Sequence, residues 1–493
     1  MKPDQPHLSP CRNLHPSPQV SISLKSWFFL RQAWSIEIGS GRSRIIQLCS
    51  PTLPGRLLGI ECMRGIMNRY WKYELPVIAF LLTVPIVLFA VMNYDINPAF
   101  FLAPVIALIM LTHYSKVWAL FFASALCGAA SILLANHIAP DGELLRHFLA
   151  LILLMFAPSF IFLGQYLSGR HTIQKVIFWL SVFSAIFIVA ITARILILDQ
   201  PVRVYVGPLG LAVMNAEFFG LPVFATFGVL SLTDLFCIQA VILCGAVFGS
   251  VANSLCRWMF IVAFGCAIFL VLGSDSRSAQ MLIAWIVGSV IFFGWRHPAM
   301  RRLAAYMLLA AIFAGALTYA RGMNENRMAA SIKELGGFTG TPKKSGESVE
   351  VLRAQADAFA TGRIELAIAG VNEVIKSPLI GNGFSSYGRY DGPGASKILS
   401  ANTSTHVYYL TLIWKGGIIF FIPFLAMLLL NLVQAWRARA HTLPTPERFF
   451  TWSAVLMTFG PMAFAWDILI VPSAGALAFF LFGSLSGHFK RPA

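Results

Sequence analysis

The chain has 493 residues, 57% of them hydrophobic and only 12% charged, with a mean hydropathy of +0.73; a soluble domain carries nearer about 45–50% apolar residues, so a soluble fold is excluded. The apolar residues run unbroken for about the 20 residues that a helix needs to cross a bilayer, where a transmembrane barrel would alternate in short segments, and the reading is an all-α polytopic membrane protein. The formal charge of +16 falls mainly in short loops and at the two ends, which is the positive-inside pattern and argues against nucleic acid as a partner.

Residues 1–62 are rich in Pro, Ser and Arg, and their apolar patch at 27–30 is too short to cross a membrane. They read as a disordered basic extension. Met63-Arg64-Gly65, with Arg69 and Lys72 close behind, resembles the ordinary start of an inner-membrane protein. The expectation is therefore a misassigned start, which N-terminal sequencing of the native protein tests. Candidate spans follow at 76–92, 98–111, 117–134, 148–167, 176–193, 232–250, 258–272, 279–293, 303–320, 417–435, 449–466 and 469–486, twelve in all. On this division spans 1–9 occupy 63–320, a long polar segment occupies 321–405, and 406–493 holds spans 10–12 and a basic tail.

Lys and Arg in alternate loops set the orientation: Lys116, Arg170, Lys175, Arg257, Arg296, Arg301, Arg437, Arg439 and Arg448 all fall on one side, with both termini. That side is the cytoplasm. The other side, the periplasm of a bacterial inner membrane, receives 137–147, 199–221, 273–278 and the long polar segment. The stretch 201–234 is apolar but broken by Pro208, Gly210, Gly220 and Pro222, and reads as surface-lying or re-entrant. Asp234 beside Thr233 reads as the cap of the next helix, against a second reading as an intramembrane proton carrier. The eight cysteines show no metal or disulfide spacing and read as buried thiols.

Within the polar segment a helix is expected from Ser348, then a second one capped by Thr361, with Ile364, Ala367, Val371 and Val374 on one face, ending before Pro378. Gly381-Asn382-Gly383 follows that helix and reads as a turn rather than a nucleotide loop. Gly416-Gly417 marks a kink or a close helix contact. Glu347, Glu350 and Asp357 share helical spacings but read as a solvated face, not a metal site.

Three residues on the outer side invite chemistry. Arg277, in Ser276-Arg277-Ser278, lies between two spans so close together that it must sit at the membrane surface; its bland reading is a headgroup anchor. Arg363 stands in the first turn of a helix, where the dipole disfavours a cation unless an anion is also present. His406 opens a span whose positive end keeps the imidazole neutral and able to accept a proton; its bland reading is a polar cap.

Taken in order, Ser276-Arg277-Ser278, then Arg363 leading to Lys376-Ser377-Pro378-Leu379-Ile380-Gly381-Asn382-Gly383, then His406-Val407-Tyr408-Tyr409-Leu410 before Gly416-Gly417, this chain resembles the O-antigen ligase and polymerase superfamily. The resemblance covers roughly residues 176–435. It implies a GT-C-like membrane fold with a catalytic periplasmic loop, and an inverting, metal-independent glycosyltransferase with no cofactor. Such an enzyme moves a glycan from a polyprenyl diphosphate, undecaprenyl diphosphate in bacteria, to an acceptor hydroxyl. By the same resemblance Arg277 and Arg363, with Ser276, hold the diphosphate, and His406 activates the acceptor or contacts the leaving group. The sequence departs from the family pattern at Val407, where Asn is common, and at Lys415, where an acidic residue is frequent, so the acceptor stays open. Lipid A core is the ligase acceptor; the alternatives are a repeat-unit polymerase acting on a growing glycan, a protein-glycosylating transferase, and, in another class, a transporter or flippase, which would carry charges midway through its spans or an internal repeat.

Overall fold

Among the described residues most apolar stretches of the sequence form helix, and some of the helices begin where a side chain supplies an acceptor for their free N–H groups. The computed structural model describes residues 73–85, 89–91, 94–112, 115–198, 217–218, 221–222, 229–273, 277–320, 363–384, 389–391, 405, 407–440, 445–465, 469–470 and 472–486. The N-terminal extension, the helix expected from Ser348, and the residues Glu347, Glu350 and Asp357 lie outside them.

The helices are α1 (Glu74–Thr83), α2 (Ala103–Thr112), α3 (Lys116–Ile138), α4 (Leu144–Ser168), α5 (Ile173–Leu198), α6 (Val229–Phe248), α7 (Ser254–Gly273), α8 (Arg277–Arg296), α9 (Arg301–Ala320), α10 (Arg363–Lys376), α11 (Tyr408–Ala440), α12 (Pro446–Met457) and α13 (Pro472–Ser486). Ser115 caps α3 by accepting from Trp118 N at 3.1 Å, and Thr445 caps α12 with Pro446 at its first position, where the missing proline N–H costs nothing. Among the described residues six helices are long and apolar enough to cross a membrane, α3, α4, α5, α7 and α11 among them, and shorter apolar helices coincide with most of the other expected spans. The protein is thus a polytopic, helical membrane protein.

Two expectations need correction. The span at 76–92 is not one helix: α1 stops at Thr83, and Phe89–Val91 pairs antiparallel with Tyr94–Ile96. Pro85 is the cause, since it pushes Val84 into extended backbone (φ −67°, ψ 121°) and removes the next N–H. Asp234 is not the cap of α6 either, because the helix begins five residues earlier at Val229 and Asp234 lies buried in its second turn.

The centre of the bundle is α6, buried from Thr233 to Phe248, with α13 beside it. Helices apolar all round belong in such a place. Around them α4 lies along α13, α3 along α11, and α7 between α6 and α9, while α12 closes on α6. Gly164 of α4 and Gly483 of α13 let two backbones meet: a Cβ on the first would strike the Phe480 carbonyl, and one on the second the Ile161 carbonyl.

Polar contacts sort the helix ends onto two faces. At the bottom, Gln165 of α4 donates to Asn431 of α11 at 2.9 Å and to Ser486 of α13 at 3.3 Å. Ser250 N, just past α6, donates to Glu447 of α12 at 3.2 Å, and Arg257 of α7 donates to Gly249 O at 2.9 Å. Phe292 and Phe293 near the end of α8 meet Phe449 of α12. The end of α7 and the start of α8 therefore lie at the top, where the α3–α4 connection also sits.

Candidate functional site

Arg277 is the first residue of α8, so it lies about 28 Å from Arg296 along the helix, at the top. Arg363 is the first residue of α10, whose bounds agree with the helix read from the sequence. The positions of these two residues are described, their side chains are not, and Ser276 and His406 lie outside the described residues. Both neighbours of His406 are described: Thr405 is buried, and Val407 precedes the first turn of α11.

Helix α10 is held against the start of α11 where Gly370 packs. A Cβ there would strike Thr405, and it would come within 3.4 Å of Leu410. Arg363 is seven residues before Gly370, about 10 Å along the axis. Thr405 is itself fixed, since its hydroxyl lies 2.7 Å from that of Thr411 and donates to Val407 O at 3.0 Å. The middle of α10 is thus packed against Thr405 and the first turn of α11.

The turn after α10 plugs into a break in α11. Gly417 has φ +66° and ψ −178°, which ends one run of helix and starts another. Asn382 N donates to Trp414 O and Gly383 N to Lys415 O, both at 2.9 Å; Ile418 N donates to Pro378 O at 2.9 Å and Ile419 N to Leu379 O at 3.1 Å. The turn satisfies the carbonyls and amides that the break leaves open, which lipid could not. Ser131 of α3 donates to Ile380 O, and Tyr390 OH to Gly381 O at 2.9 Å. Lys415, where the family resemblance expects an acid, is buried; its ammonium donates to Phe384 O at 3.1 Å and lies 5.4 Å from the Trp414 ring centre.

A polar cluster that the sequence did not single out, with His147 and Arg389 buried and Asp141 partly open to solvent, stands beside this turn. Arg389 donates to Asp141 Oδ1 at 2.9 Å, to Ala139 O at 2.8 Å, and to Asn382 O and Asn136 Oδ1 at 3.4 Å. Asp141 Oδ2 lies 2.7 Å from His147 Nε2. Partial burial works against the Asp141 carboxylate, but the hydrogen bonds from His147 and the Glu143 amide and the Arg389 charge prevail, and its pKa falls to about 2. The carboxylate is therefore the acceptor and His147 Nε2 the donor. Gly383 (φ +88°) fits against them because a Cβ would come within 2.7 Å of both Arg389 Nη1 and the His147 ring. The signal available in the sequence was positional: His147, Asp141 and Arg389 are ionisable residues in loops assigned to the side that the basic residues avoid.

A family model described as O-antigen ligase matches residues 259–425, a stretch that holds Arg277, Arg363, the turn and the break in α11. No curated protein matches the chain. Over residues 259–425, about a third of its length, the chain is thus similar to the O-antigen ligase family.

Proposed function

We propose that the protein is a ligase-type, inverting and metal-independent glycosyltransferase, which moves a glycan from undecaprenyl diphosphate to a hydroxyl of lipid A core at the periplasmic face of the inner membrane. The observation that carries this reading is that the O-antigen ligase match spans the positions of Arg277, Arg363 and His406, with Arg277 and Arg363 each the first residue of a helix.

In this reading the acceptor oxygen attacks the anomeric carbon, the bond from that carbon to the diphosphate breaks, and the bonding pair leaves on the carrier diphosphate. Neutral His406 takes the proton from the acceptor hydroxyl. Arg277 and Arg363 stabilise the charge that grows on the leaving group, as planar guanidiniums do well. Each stands at a helix N-terminus, which itself favours an anion and makes an isolated cation unfavourable. A bound diphosphate would reconcile the two.

The test is alanine replacement at Arg277, Arg363 and His406, one at a time, read on gels of surface polysaccharide and by extraction of carrier lipid. Each variant is expected to lower glycan attachment by about 100-fold or more, with complete polymer accumulating on the carrier outside. Single repeat units on the acceptor would indicate the polymerase, and carrier-linked glycan held on the cytoplasmic side a flippase. Full attachment in all three variants would sink the reading.

A further inference from the structure

A cavity of about 1140 Å3 opens near the bottom face between α8, α11 and α12, at the end of the bundle opposite Arg277. It exceeds the ~300–1,000 Å3 of an ordinary small-molecule site. Trp285, Trp436 and Trp452 form its walls, and Arg437, Arg439 and Arg448 line its bottom end. No carboxylate is among the described residues that line it.

The two ends offer different chemistry. In the wall, Trp285 Nε1 donates to Ser453 Oγ at 3.0 Å and the Ser289 and Ser453 hydroxyls lie 2.8 Å apart, which leaves Trp452 Nε1 as a donor without a partner. An occupant there has little to hydrogen-bond and would gain from being hydrocarbon. At the mouth, Arg439 rests 4.9 Å from the Trp436 ring centre, and Arg437 and Arg439 are exposed while Arg448 is buried. Three guanidiniums around one opening repel each other, and an anion relieves that. Trp436 and Leu456 stand open to the side, so a molecule could enter from the bilayer rather than from water.

We propose that this cavity is a binding site for an anionic phospholipid of the surrounding bilayer, with its phosphate among Arg437, Arg439 and Arg448 and its acyl chains along Trp285, Trp436 and Trp452. Basic pockets between membrane helices take phosphate headgroups in this manner. The lipid joins α8, α11 and α12 at the end remote from the transfer chemistry, and its binding is independent of the proposed reaction.

Full-length protein in neutral detergent, titrated with phosphatidylglycerol or phosphatidylcholine of matched chains and read by native mass spectrometry, tests the site. We expect the wild type to retain phosphatidylglycerol about tenfold more than phosphatidylcholine, and Arg437→Gln/Arg439→Gln to bring that ratio close to one with an unchanged melting midpoint. As a measurement that needs no arginine variant, phosphatidylglycerol with brominated chains should quench wild-type fluorescence more than that of Trp436→Phe/Trp452→Phe. Equal retention of the two lipids by the wild type, a preference untouched in the arginine variant, or quenching unaffected by loss of the two indoles would each overturn the proposal. So would retention of a polyprenyl phosphate in preference to phosphatidylglycerol, which would make the occupant a carrier lipid.

Discussion

A single carboxylate controls the buried charge beside the candidate site. Asp141 carries the charge that faces both Arg389 and His147, and its carboxyl is depressed from an ordinary 3.8 to about 2 in the folded protein. A depressed carboxyl stabilises the fold above its unfolded pKa, and that contribution is lost as the pH falls from about 4 toward 2. After allowance for the partial exposure of the group, the effect is about 1–2 kcal/mol. Asp141→Asn should therefore lower the thermal unfolding midpoint in detergent near pH 7, where it also leaves buried Arg389 without this partner. The gap between variant and wild type should narrow below pH 4; a gap that stayed constant down to pH 2 would contradict the assignment. None of this was visible in local sequence, because Asp141 and Arg389 are brought together only by the docking of the turn at 381–383 on α3 and α4.

At the scale of elements, the break in α11 and the turn after α10 are one device. The Gly416-Gly417 pair announced a kink, and Gly381-Asn382-Gly383 announced a turn, but nothing in either motif said that one fills the other. Glycine at 417 is required twice over: its φ of +66° strains any other residue, and a Cβ would strike the Leu379 carbonyl and come within 2.6 Å of Gly381 N. Gly417→Ala should then cost about 2 kcal/mol or more, seen as a lower unfolding midpoint, with reduced glycan attachment because the chain next to His406 and α10 loses its mooring. A midpoint within error of the wild type would show that the break tolerates a side chain. The same scale explains α1: Pro85 ends the helix where hydropathy alone ran on to residue 92.

Across the whole molecule, close backbone approach replaces the hydrophobic effect, which lipid tails largely cancel between membrane helices. The pair Gly164 and Gly483 locks α4 to α13, the helix beside the central α6. Replacing either with Leu should lower stability by about 1–3 kcal/mol or prevent folding, whereas Gly288→Leu, on α8 where a Cβ meets nothing within 4 Å, should be tolerated. Comparison of the unfolding midpoints of the three variants checks this; equal loss in all three would mean that the α4–α13 contact is not special. The two faces of the bundle also emerge only at this scale, since contacts among distant ends, such as Ser250 with Glu447 or Gln165 with Ser486, decide which termini are neighbours.

By itself the sequence determined that the chain is a helical membrane protein, where most of its described helices lie, and which superfamily its ordered motifs resemble. Those are local properties: a run of apolar side chains must satisfy its own backbone in lipid, and only a helix does so within one segment. Tertiary structure decided the rest. The Asp141, His147 and Arg389 cluster, the filling of the α11 break, the burial of Asp234 inside α6 and the arginine-rimmed cavity each depend on which helices pack together, and that rests on glycine clearances and long-range hydrogen bonds with no periodic signature in the chain.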